Sequence, residues 1–298
     1  SARAWAPLKP LLAGRTNVRR LRIAPDGLLN LVPFEALSDG RDLIDRYAIT
    51  YVPAGRDVTM QASGDIVSAA PVVVVSPGAS ASKLSAPAPI TGTFRSDALA
   101  RLSAAAGEAA DLRRLVPHAE LYSAADATER HVKSVHGPSL LHIVGHGVIR
   151  GDDVMGLSAI VLEEAYGRGK DSADDGMLTA SELQNVDLRG TEMLVLSQCQ
   201  MANGVASIGE GVYGMRRAAA IAGARSFVAP LWNVEDRVQR TLMARFYDGL
   251  ATGMTRSEAL RRAKLQLRAS PATSSFLYWA PVILSGSASA LPTALFRP

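Results

Sequence analysis

The chain has 298 residues, 48% of them apolar and 20% charged, a composition with room for a large core and no run near the about 18 apolar residues that cross a bilayer. Its one cysteine excludes an intrachain disulfide and the multi-thiolate zinc and iron–sulfur sites, and SARAWAPLKPLL lacks the layout of a secretory leader, so a cytoplasmic setting is expected. The net charge of +4 and pI near 9.4 come from scattered arginines; the densest group, Arg256 to Arg268, lies on one amphipathic stretch and reads as a solvated helix face rather than a nucleic-acid surface.

In chain order, residues 1–64 read as a β-rich N-terminal segment. Leu21-Arg22-Ile23 runs into the turn Pro25-Asp26-Gly27, Leu28 to Leu37 follows as further extended chain, and Tyr47 to Val52 alternates as a strand does. The Ser-, Ala-, Pro- and Gly-rich stretch 77–97 reads as an exposed loop within the second unit, residues 65–298.

From Val72 the pattern alternates. Val72–Val75, Leu121-Tyr122, Leu140–Val144, Met193–Leu196, Phe227–Leu231 and Pro281–Leu284 are short apolar strands, with Ser158–Leu162 expected on the far side of the Leu140 strand. Glu108–Leu115, Ala127–Val135, Val212–Ala222 and Val238–Leu250 have helical spacing. Thr179-Ala-Ser-Glu182 and Thr255-Arg-Ser-Glu258 are capping boxes that open two more helices. Strands alternating with helices predict an α/β fold with a mostly parallel central sheet and helices on both faces.

Two reactive groups stand at strand tips. Cys199 follows the run Met193–Leu196 in EMLVLSQCQMANG, and His146 follows Leu140–Val144 in LLHIVGHG. Open α/β sheets hold their chemistry outside the carboxyl ends of their strands, so the pair reads as a thiol nucleophile with an imidazole base. Gly145 and Gly147 give His146 nothing to pack against. The backbone N–H groups of Gly147 and Cys199 are candidates for an oxyanion site.

Three motifs read more plainly. His142 and His146 form HxxxH, but on a strand they lie roughly 13 Å apart at about 3.3 Å per residue, too far to chelate one metal; His142 reads as a buried, hydrogen-bonded strand residue. Gly209-Glu-Gly-Val-Tyr-Gly214 fits G-x-G-x-x-G but stands well past its strand, which argues against a dinucleotide site. Asp171 to Glu182 approximates a calcium loop, but Ala173 occupies a ligand position and Glu182 belongs to the capping box. No metal and no cofactor are expected.

With HIVGHG and LVLSQC together, the chain resembles the CHAT family of caspase-like peptidases. RIAPDGLLNLVPFEAL, YAITYVPAG, ADATERHVK, DGMLTASELQNVDLRGTEMLVLSQC, GEGVYGMRRAAAIAGARSFVAPLWNVED and WAPVILSG look like that family's blocks in its order, over roughly residues 18–286. The resemblance implies a caspase-haemoglobinase fold, with His146 and Cys199 as the catalytic dyad; Gln198 stands where members commonly carry alanine. LWNVED is similar to the separase segment LWDVTD, whose last aspartate holds a P1 arginine. Asp236 matches that aspartate, and Trp232 and Glu235 flank it in the implied pocket.

The activity that the resemblance implies is that of a cysteine endopeptidase cutting a protein substrate after a basic residue. Family members act in bacterial defence, on gasdermin-like or CRISPR-associated proteins, under a regulatory partner or an N-terminal repeat region that this chain, starting at Ser1, would lack. The polar segment Tyr166–Gly176, with Arg168 and Lys170, reads as a site of nicking or control. A non-cleaving interaction scaffold and a dinucleotide-binding oxidoreductase are the alternatives; direct contact with nucleic acid or membrane is not expected.

Overall fold

Four- and five-residue runs of Val, Ile and Leu are stable as strands where both faces of a sheet are covered, and the apolar runs settle that way here. The computed structural model describes residues 2–38, 40–52, 70–76, 102–149, 158–166, 174–197 and 208–296. The N-terminal part has two single-turn helices, α1 (Ala2–Trp5) and α2 (Lys9–Leu12), and two strands, β1 (Arg20–Ile23) and β2 (Ala48–Tyr51). Between the strands, Gly27–Leu31, Phe34–Ala36 and Leu43–Asp45 are 3-10 turns, so Leu28–Leu37 is extended only at the joints between turns and forms no strand. The Asp26 carboxylate accepts the Gly27 N–H at 2.9 Å and opens the first turn, and the second buries Phe34 and Glu35.

Then come β3 (Val72–Val75), α3 (Ala105–Leu115), β4 (Glu120–Ser123), α4 (Glu129–Lys133), β5 (Leu140–Val144), β6 (His146–Ile149), β7 (Ser158–Val161), β8 (Met177–Thr179) and α5 (Ala180–Leu183). The chain continues with β9 (Met193–Ser197), α6 (Ile208–Ala222), β10 (Ser226–Pro230), α7 (Asp236–Ala251), α8 (Arg256–Arg268), α9 (Phe276–Trp279) and β11 (Val282–Gly286). Eight strands form one sheet in the order β1-β2-β11-β10-β9-β5-β3-β4, parallel throughout except between β10 and β11. β1 and β2 thus extend the central sheet through β11.

The register is strict across that sheet. Ser123, Val75, Val144, Ser197, Pro230, Val282, Ala48 and Arg20 fall on one row, carrying the offset of Val195 opposite Val228 on to Pro230 and that of Tyr51 opposite Ser285 back to Ala48. β4, β3, β5, β9 and β10 all end on this row, and β11, β2 and β1 all begin on it. One edge of the sheet therefore gathers five carboxyl ends and three amino ends.

Alternation along each strand divides the core. Leu141 and Ile143 of β5 and Leu194 and Leu196 of β9 pack with α1, α5 and α6; Leu140, Val144, Met193 and Val195 pack with α3, α7, α8 and α9. A buried polar set ties the N-terminal turns and β2 to α8. Lys264 Nζ donates to Glu35 Oε1 at 2.8 Å, Tyr51 OH donates to Glu35 Oε2 at 2.6 Å, and the Phe34 N–H donates to Tyr51 OH at 2.8 Å. Burial pushes the Lys264 ammonium down and the Tyr51 hydroxyl well above its usual range, and the Glu35 carboxylate opposes the first shift and adds to the second.

Ser158–Leu162 departs from expectation. It forms β7 in a separate antiparallel sheet, β6-β7-β8, and not a strand of the main sheet. After Val144 the chain leaves the sheet at Gly145, where an added Cβ would stand 3.2 Å from the Val161 carbonyl oxygen; glycine lets β7 approach that closely.

Candidate active site

β5 and β9 are neighbours in parallel, and Val144 lies opposite Ser197 at their ends. His146 stands two residues beyond Val144, and in the sequence Cys199 stands two beyond Ser197. Cys199 itself, with its backbone N–H, lies outside the described residues. The Gly145 N–H donates to the Ser197 carbonyl at 3.3 Å and the Ser76 N–H to the Val144 carbonyl at 2.8 Å, so the three strand ends are bonded to one another just short of His146.

The His146 imidazole is buried, which its glycine neighbours do not suggest. It opens β6 opposite Val161, and Gly147 follows opposite Ile160. Gln239 of α7 is a residue the sequence reading missed: its Nε2 stands 3.5 Å from Ser197 Oγ, at the end of the cysteine strand. The signal was there, since Gln239 is an amide on the apolar face of α7 that carries Leu242, Met243 and Phe246.

The P1 candidates follow β10, whose last residue, Pro230, lies on the row beside Ser197. Trp232 is half-buried, donates from Nε1 to the Leu277 carbonyl at 3.0 Å and meets the Phe276 ring edge-on at 6.2 Å. Glu235 is exposed and is the N-cap of α7, without a side-chain cap bond. Asp236 is the first residue of that helix, yet its Oδ2 serves another one, accepting the Ala104 N–H at 2.7 Å and Ser103 Oγ–H at 3.3 Å. Ala104 is the N-cap of α3, so the carboxylate faces the positive end of a neighbouring helix.

His142 is a bonded core residue, as its strand position predicts. Its Nε2 lies 3.0 Å from Glu108 Oε1 and its Nδ1 lies 2.8 Å from Tyr247 OH, with α3 and α7 supplying the partners. Burial, reinforced by the Glu108 carboxylate, holds the Tyr247 hydroxyl well above its usual range. The GEGVYG residues all fall inside α6, a geometry unlike a strand-to-helix phosphate turn.

Asp171 lies outside the described residues, but the rest of the calcium-like stretch has other employment. Asp175 Oδ1 accepts the Met177 N–H at 2.9 Å, and Glu182 completes the reciprocal capping box with Thr179. Lys133 joins that segment to α4, reaching Glu182 at 2.9 Å and Asp174 at 3.4 Å, while buried Glu129 accepts the Gly176 N–H at 2.8 Å. The downstream end of Tyr166–Gly176 is thus anchored; Arg168 and Lys170 lie outside the described residues.

The sequence matches the CHAT domain over residues 2–287. The chain belongs to the CHAT family. In fold this CHAT domain is similar to the Arg-specific cysteine proteinase gingipain R, with 10% identity over 96% of this chain and 67% of that one and a TM-score of 0.56. It is likewise similar to the complex of the pro- and mature domains of RgpB from Porphyromonas gingivalis, at 9% identity, 96% and 68% coverage and a TM-score of 0.57. A Saccharomyces cerevisiae separase–securin complex matches at 15% identity and a TM-score of 0.49, over 86% of this chain but 14% of that one. No curated protein sequence matches the chain. The CHAT resemblance and the mostly parallel, helix-covered, caspase-like sheet expected from the sequence are both borne out. Among the described residues no helix is long and apolar enough to cross a membrane.

Proposed function

We propose that this CHAT domain is a cysteine endopeptidase with Cys199 as nucleophile and His146 as general base. The observation that carries the reading is the pairing of Val144 with Ser197, each two residues short of its reactive group. Adjacent strands run about 4.8 Å apart, a separation at which a thiol and an imidazole on neighbouring tips share one proton or flank one peptide bond. His146 takes the Cys199 proton, and the thiolate sulfur attacks the scissile carbonyl carbon. The Gly147 and Cys199 N–H groups receive the negative oxygen. His146 then protonates the departing amine, leaving a thioester that water hydrolyses to the acid and the free thiol. No cofactor or metal enters this chemistry.

The P1 residue in this reading is basic, with Asp236 as its counter-charge and Trp232 and Glu235 beside it. A guanidinium fork suits a carboxylate fixed by neighbouring donors, and the gingipain of similar fold is itself Arg-specific. The substrate is a protein, of the gasdermin-like or CRISPR-associated kind in a bacterial defence pathway, with a regulatory partner controlling access. Cys199→Ala and His146→Ala test the dyad on a fluorogenic P1-Arg peptide. Cys199→Ala should abolish cleavage, and His146→Ala should lower kcat by about 100-fold or more. Retention of wild-type turnover by either variant refutes the dyad, and failure of a thiol-directed inhibitor to label Cys199 favours the non-cleaving scaffold.

A further inference from the structure

A separate feature is the charge gathered beside β1 and α8. Two open clefts, of about 670 and 650 Å³, meet at Glu258 and Arg261 of α8, which line both, and make up a two-part groove. Arg15, Arg19, Arg20, Arg46, Arg261 and Arg262 line it against two carboxylates, Asp45 and Glu258. That excess of four equals the net charge of the whole chain, +4, so the remaining residues balance to neutrality. The two carboxylates are already engaged. Arg268 pairs with Asp45, and Arg261 Nη1 lies 3.5 Å from Glu258 while its other nitrogens donate to the carbonyls of Ile44 and Asp45. Arg15, Arg19, Arg20 and Arg262 are exposed and have no carboxylate partner among the described residues.

The position of this charge matters as much as its amount. Arg20 opens β1 on the same register row as Val144 and Ser197, and the segments carrying Arg15, Arg19 and Arg46 lead directly into β1 and β2 on that edge. From β9 to β1 the sheet order steps through β10, β11 and β2. Four inter-strand steps of about 4.8 Å put β1, and with it Arg20 in the groove, about 19 Å from the cysteine strand, the span of about six extended residues.

We propose that this groove is an exosite that takes an acidic stretch of the protein substrate about six residues from the scissile bond. The inference rests on the peptidase reading above and names a second determinant of its substrate class. Met254, Leu265 and Leu12 also line the groove, which suits a polypeptide mixing acidic and apolar side chains better than a phosphate backbone.

The test has a binding arm and a kinetic arm. Fluorescein-labelled octaglutamate is titrated against the full chain by anisotropy at low and moderate salt. The charge-reversed Arg15→Glu/Arg19→Glu/Arg20→Glu variant, and a neutral Arg→Gln counterpart should the first lose its circular dichroism, are titrated beside it. Binding is expected to weaken with salt and to fall about tenfold or more in the variants. Equal binding by the variants overturns the proposal, and tighter binding of a thymidine oligonucleotide of equal charge overturns it in favour of a nucleic-acid surface.

In the kinetic arm, basic-P1 peptides carry six glutamates or six serines, set six residues from the cleaved bond on either side. On one side the glutamate peptide should show a KM lower by about tenfold with kcat little changed, and the variants should lose that advantage while cleaving a short peptide normally. Equal KM for glutamate and serine peptides overturns the exosite. If no peptide is cleaved while octaglutamate still binds, the peptidase reading has failed: the exosite role falls with it, and the acidic-peptide groove alone stands.

Discussion

Asp236 has two proposed duties that substitution can separate. Its Oδ2 accepts the Ala104 N–H at 2.7 Å and so caps α3, and the P1 pocket asks the same carboxylate to meet a substrate cation. Asp236→Ala removes both functions, whereas Asp236→Asn keeps an oxygen for the Ala104 N–H and removes the charge. Losing a cap costs about 1 kcal/mol, and for a chain of this size that lowers Tm by about 1.5–2 °C. Losing the charge opposite a desolvated guanidinium costs about 2–5 kcal/mol, a fall in kcat/KM of about 30-fold to several thousand-fold. Asp236→Asn should therefore melt within about a degree of wild type while losing P1-Arg cleavage, and Asp236→Ala should lose both. Glu235→Ala should change little, because Glu235 is exposed and caps nothing with its side chain. Thermal melts together with a P1 peptide library supply both readouts. An Asp236→Asn enzyme that cleaves P1-Arg within about threefold of wild type, or a wild-type profile favouring Asp or apolar P1, makes the carboxylate a helix cap and refutes the pocket.

Lys264→Met should cost about 3–5 kcal/mol in chemical denaturation, because it strands the buried Glu35 carboxylate, and Glu35→Gln added to it should recover most of that loss; a double variant no more stable than the single refutes the pairing. The Arg268 guanidinium hydrogen-bonds Asp45 and holds its carboxyl below the usual value, so the folded chain binds that proton less readily than the unfolded chain. This stabilisation is present above the unfolded carboxylate pKa of about 3.9 and disappears as pH falls through the lower folded value. Asp45→Asn should therefore lower Tm at pH 7 and leave it near wild type in strong acid, and a Tm loss that is the same at both pH values refutes the assignment.

The strand runs were legible because burial on both faces demands uninterrupted apolar residues, and the Thr179 capping box because its four positions carry their own hydrogen bonds. Thr255 was half legible: it accepts the Glu258 N–H, but the Glu258 carboxylate turns to Arg261. His142 was readable as a bonded core residue, though not its partners, which come from helices far along the chain. Leu28–Leu37 failed because it winds into 3-10 turns that bury Phe34 and leave Leu28 and Leu29 exposed, so no two-residue period applies.

What the sequence determined by itself was thus local: which runs are strands, where helices open, and which two reactive groups sit just past strand ends, since periodicity and caps act over a few residues. The tertiary structure alone decided the rest. It reversed β11 against β10, so that β1 and β2 begin on the row where β5 and β9 end. It set Gln239 against Ser197, and Asp236 against α3. It also gathered arginines from residues 15–46 and from α8 into one groove. Strand order and direction depend on pairings between distant segments, Tyr51 with Ser285 the most distant of them, and no local pattern encodes which segments will meet.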